Sequence, residues 1–150
     1  MNIRSFVCCL PLAFFSPLMA QDGEIPSPEQ TVRSLYEAHL ADGGALANAR
    51  GDEMWVFRFD EGLLKALNSE HWGFDPLWFA QDSDVTEVDV KLIDEDGRGR
   101  SLVLVSFENF GKKFRLVVAL NHTDHGHHIV DIVDPQNGTS LVRDLAPAAE

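Results

Sequence analysis

Between Val88 and Val133 the residue pattern changes its period, and this stretch limits the fold more than any other part of the chain. Val88, Val90 and Leu92 alternate with Glu87, Asp89 and Lys91, the period-two signature of a half-buried strand. Ser101 to Phe107 is continuously apolar from Leu102 to Val105 and reads as a central strand, and Phe114 to Leu120 and Ile129 to Val133 read as two more. The connections have turn composition: Asp94 to Arg100 is charged and contains glycine, Asn109 to Lys113 turns the chain, and Asn121 to Gly126 turns it again. A parallel crossover needs a dozen or more residues, so strands joined this closely pair as an antiparallel meander.

Helical signals precede the meander. Ser27-Pro28-Glu29-Gln30 supplies a cap, a proline at the first helical position and a glutamine three residues after the cap. Val32, Leu35, Tyr36 and Leu40 form an apolar stripe, and Gly43-Gly44 stops the helix after Asp42. Ala45 to Asp52 is small and polar, and Met54 to Phe59 is a short apolar run of either type. Asp60 caps a short second helix that carries Leu63, Leu64 and Leu67 on one face and ends at Asn68-Ser69. His71 to Asp84 fits no period, and Ser140 to Leu145 adds a last helical turn. Helices first and a meander after predict an α+β domain, with N-terminal helices packed on a curved antiparallel sheet of about four strands.

The first twenty residues bear on compartment. Arg4 makes a positive start, Phe6 to Phe15 is an apolar stretch of signal-peptide length, and Ala20 offers a small residue at the cut, so cleavage before Gln21 and export to the periplasm or beyond are expected. The reading divides the chain into a signal peptide at 1–20, a leader at 21–27, one domain over 28–145 and a flexible tail at 146–150. Cys8 and Cys9 both lie in the apolar stretch, without the small preceding residues of a lipid-attachment site. The mature chain is then free of thiols, and with them of disulfides, thiolate nucleophiles and cysteine zinc sites.

Removing Arg4 with the leader leaves 11 basic residues against 24 acidic, a formal net charge of −13. Nucleic acid and anionic membrane binding depend on Lys and Arg neutralising phosphate, so the acidic excess argues against both and favours a cationic partner. No membrane span is expected after cleavage.

Several short stretches carry a likeness to a known group. Phe74-Asp75-Pro76 followed by Ala80-Gln81-Asp82, a strand ending in Phe107-Glu108-Asn109-Phe110-Gly111, and a final Ile129-Val130-Asp131-Ile132 strand resemble a family of small exported bacterial envelope proteins with a cystatin-like fold, close to the nuclear-transport-factor and steroid-isomerase cone. The resemblance covers roughly Pro28 to Leu145. It implies a helix wrapped by a curved sheet and an envelope location, and it brings no catalytic residues with it. Unlike the lipid-anchored members, this chain has no lipid-attachment cysteine, and it carries His127-His128 before the last strand where an aromatic residue is expected.

Two stretches could carry chemistry. Trp72, Phe74, Trp78 and Phe79 crowd an irregular segment in which Asp75, Gln81 and Asp82 could orient a ligand; the plainer alternative is an aromatic plug, with Asp75 capping a turn and Gln81 or Asp82 bonding free backbone. Trp72, Asp75, Trp78, Gln81 and Asp82 are accordingly the candidate ligand- or partner-binding residues, with Phe74 expected to be structural and Trp78 the more exposed of the two. The second stretch holds His122, Asp124, His125, His127 and His128. Imidazole suits zinc, copper or nickel, but the spacing closes no ligand set, so this turn reads as solvated, with His122, His125 and His127 as weak metal candidates and no cofactor expected. No nucleophile elbow, phosphate loop, dinucleotide fingerprint or zinc-protease helix occurs. The expectation is an exported, non-enzymatic protein that binds a protein or small ligand. The alternatives are an immunity protein against a basic toxin, and a small isomerase- or hydrolase-like enzyme using Asp75 or Asp82 as base.

Overall fold

The computed structural model describes residues 25–41, 59–64 and 74–145. The expected signal peptide, the Gly43-Gly44 stop, the apolar run before Phe59, the end of the second helix with Leu67, Trp72 and the tail at 146–150 lie outside the described residues.

Helix α1 spans Pro28–Ala41, and its start is the reciprocal cap its sequence calls for. The Gln30 amide donates to Ser27 Oγ at 3.2 Å, and the Ser27 amide donates to Gln30 Oε1 at 2.8 Å; Pro28 has no N–H to satisfy at the first position. The buried face is Val32, Leu35, Tyr36 and His39, while Leu40 is 46% exposed, which corrects the expected stripe. At about 100° per residue, position 39 lies about 20° from Val32 around the axis and position 40 about 80°. Helix geometry thus outranks hydrophobicity, and a histidine enters the core in place of a leucine.

Among the described residues five strands follow: β1 Val85–Glu95, β2 Arg100–Asn109, β3 Lys112–Thr123, β4 Gly126–Asp134 and β5 Thr139–Ser140. They form one antiparallel sheet in the order β1-β2-β3-β4-β5, and a short helix α2, Leu141–Leu145, closes the described chain. The meander is as expected; β5 is an addition. The strands also run further into the polar connections than their composition suggests. β3 continues to Thr123 and β4 restarts at Gly126, leaving a two-residue turn where Asn121 to Gly126 reads as a loop. Ladder hydrogen bonds do not require apolar side chains, so a solvent-facing hairpin end keeps pairing through polar residues.

The core lies against one face of this sheet. Val90 of β1, Val103, Val105 and Phe107 of β2, Leu116, Val118 and Leu120 of β3, and Ile129 and Ile132 of β4 meet Val32, Leu35 and Tyr36 of α1, with Phe59, Leu63, Leu77, Trp78 and Leu141 completing the cluster. The edge of β1 is covered by α1: Arg33 Nη2 donates to the Val90 carbonyl at 2.8 Å, and Glu29 Oε2 accepts the Leu92 amide at 3.2 Å. Glu29 and Arg33 also pair with each other, so they occupy backbone groups that a second strand would otherwise take. At the opposite edge Phe59 bridges Ile129 in parallel, and Asp60 caps the helical residues 61–64 through the Gly62 amide.

Candidate functional site

The irregular segment before β1 is organised by Asp75. Its backbone N–H donates to the Ala80 carbonyl at 2.7 Å, closing a turn, while its Oδ1 accepts the Leu77 amide at 2.9 Å. Its Oδ2 lies 2.7 Å from His39 Nε2 on α1. This carboxylate therefore serves the cap expected of it and also anchors the turn to the helix through a buried imidazole, a link that sequence reasoning missed. The available signal was His39 standing seven residues after Val32 on the buried stripe.

Trp78 sits in the middle of this junction. Its ring lies edge-on to Tyr36 at 5.2 Å and to Phe107 at 5.0 Å, and is tilted against His39 at 5.5 Å. It is 3% exposed, whereas Phe74 is only half-buried and leans on Phe79 at 6.0 Å. The expected order of exposure is reversed. The turn that Asp75 closes directs Trp78 down onto α1 and β2, and Phe74 precedes the turn at its rim. The Tyr36 hydroxyl is fully buried with no hydrogen-bond partner among the described residues, and burial, reinforced by the Asp75 carboxylate, pushes its ionisation far above the ordinary phenol value.

Gln81 and Asp82 are exposed, and the backbone of Asp82 is fastened to the sheet rather than to the aromatic cluster. Asn109 at the end of β2 donates from Nδ2 to the Asp82 carbonyl at 3.3 Å and accepts the Asp84 amide at 2.8 Å, and the Phe110 amide donates to the Asp84 carbonyl. The β2–β3 turn is Phe110-Gly111, with φ of 49° and 71°. Both values are positive, as a two-residue turn matching the strand twist requires, and asparagine, aspartate and glycine are the residues that meet this demand without strain. Phe110 instead holds a left-handed backbone, and the residue is 61% exposed. Gln81, Asp82, Asp84 and Phe110 thus share one end of the molecule. Beside it a cleft of about 220 Å³ is lined by Glu87, Phe107, Glu108, Lys113, Phe114 and Arg115. Neither the burial of Trp78 nor the prominence of Phe110 was legible beforehand, although an Asn-Phe-Gly stretch between two apolar runs was the signal for the latter.

The histidines divide between the β3–β4 hairpin and its turn. His122 and His127 are direct cross-strand partners with ring centres 4.8 Å apart, His128 pairs with Asn121 on the opposite face, and His125 stands in the turn, its amide donating to Thr123 Oγ1. Burial first, and then the neighbouring His122, hold the His127 imidazole below its ordinary value, with Glu95 acting in the opposite sense. Among the described residues no group of three or more His, Cys, Asp or Glu gathers to hold a metal ion, and no helix is long and apolar enough to cross a membrane.

No protein-family model matches the chain, and no curated protein or solved structure is detectably similar to it.

Proposed function

We propose that this chain is an exported, cystatin-like envelope protein that binds a basic protein partner through the end of the sheet carrying Phe110. The observation behind this reading is the Phe110 backbone. A left-handed conformation costs a residue with a Cβ roughly 1–2 kcal/mol, and here the strained residue is a bulky aromatic that points into solvent and buries little in return. Strain kept at an exposed aromatic favours recognition over folding, since exposed aromatic rings anchor interfaces. The exposed carboxylates of Asp82 and Asp84 beside it, in a chain of formal net charge −12, suit a cationic surface and would speed its capture. An immunity protein that neutralises a basic toxin is one form this function would take. Binding is preferred to catalysis because Asp75, the inward-facing carboxylate a proton-transfer enzyme would use, already engages a backbone amide and His39, while Asp82 faces solvent.

Phe110→Asn separates the roles. Asparagine relieves the turn, so the variant should be as stable as the parent or up to about 1 kcal/mol more stable. Used as paired baits in periplasmic extract, the two proteins should differ: a basic protein is retained by the parent and lost from the variant. Identical retained sets would remove Phe110 from the function.

A further inference from the structure

We propose that His122 and His127 form a transition-metal site, closed by two imidazole nitrogens on the β3–β4 hairpin. Register carries the inference. The two residues are directly opposite on neighbouring antiparallel strands and on the same face, where Cβ atoms approach to about 4.5–5.5 Å. Two imidazoles bound to one ion at about 2.0–2.1 Å place their ring centres about 3.2 Å from it, and bond angles between square-planar and tetrahedral then separate those centres by about 4.5–5.2 Å. The observed separation of 4.8 Å falls inside that interval, so the spacing of the rings is one that a shared ion allows.

Three further features fit the assignment. His127 Nδ1 is buried and makes no hydrogen bond among the described residues, a state that coordination relieves. The hairpin is held at both flanks: the His122 amide donates to the Gly99 carbonyl at 2.6 Å, and Thr123 Oγ1 donates to the Gly126 carbonyl at 3.0 Å across the turn. A side chain at position 99 would come within 3.3 Å of the His122 Cβ, so glycine there lets the strand ends close around the pair. With two protein nitrogens the remaining positions stay open to water or to a group from a partner, and among divalent ions copper binds such a set most tightly.

The test uses the untagged chain and copper(II) alone in a non-coordinating buffer near neutral pH, followed by titration calorimetry and electron paramagnetic resonance. One equivalent should bind, with hyperfine structure from two imidazole nitrogens. His122→Ala should weaken binding at least tenfold and lose one nitrogen. His122 is exposed, so this variant should fold as the parent does, and it retains the N-terminus and every other histidine as internal controls. His127→Gln should behave alike, and His125→Ala should bind as the parent does. Unchanged copper affinity in His122→Ala, or loss of the site in His125→Ala alone, would overturn the proposal.

Discussion

Replacing Tyr36 by phenylalanine should make the protein more stable. Tyr36 is fully buried, its ring is packed edge-on against Trp78, and its hydroxyl has no partner among the described residues. An unsatisfied buried hydroxyl carries a desolvation penalty of about 1–3 kcal/mol, whereas the ring itself is kept intact by the substitution. Allowing for the small void left by one oxygen, the net gain at neutral pH is about 1–2 kcal/mol, or roughly 3–8 °C in Tm for a domain of this size.

The difference should widen in alkali. Tyr36 has its ionisation raised in the folded protein, chiefly by burial and then by Asp75, so the folded chain keeps this proton while the unfolded chain releases it above about pH 10. The stability tied to that proton is complete below about pH 10 and falls by about 1.4 kcal/mol for each further pH unit until the folded form also ionises. Tyr36→Phe has no such proton to lose, so near pH 11 its advantage over the parent grows by about that amount. Urea unfolding followed by tryptophan fluorescence at both pH values measures the gap. Tyr36 is the single tyrosine of the chain, so the tyrosinate absorbance reports this residue alone and should rise only as the protein unfolds. A Phe variant less stable than the parent by more than about 0.5 kcal/mol at neutral pH would show that the hydroxyl has a stabilising partner and that the reasoning fails.

Trp78→Ala should destabilise by about 3–5 kcal/mol, since a buried ring with three aromatic neighbours is removed. Phe74→Ala, at a half-buried rim position, should lose only about 1–2 kcal/mol; equal losses in denaturant titrations would contradict the reversed burial. Export with cleavage before Gln21 predicts a mature chain that begins at that residue, and an intact mass retaining Met1 in protein recovered from the cell envelope would refute it.

The alternation from Val88 onward and the short connections sufficed for the antiparallel meander, because one-sided burial forces period two and a short link leaves no other pairing. The Ser27-to-Gln30 cap and the capping role of Asp75 were equally legible, being local hydrogen bonds between residues close in the chain. Packing decided the remainder. Whether Trp78 or Phe74 faces inward depends on how the Asp75 turn seats against α1, and His39 reaches Asp75 across 36 positions of sequence. Phe110 becomes an exposed, strained tip only once strand register fixes a two-residue turn. His122 and His127 are five residues apart in a polar stretch whose spacing says little, and the register of β3 on β4 sets them face to face. Local chemistry is written in neighbouring residues, but a site assembled from distant ones is specified by register and side-chain packing, which exist only in the folded chain.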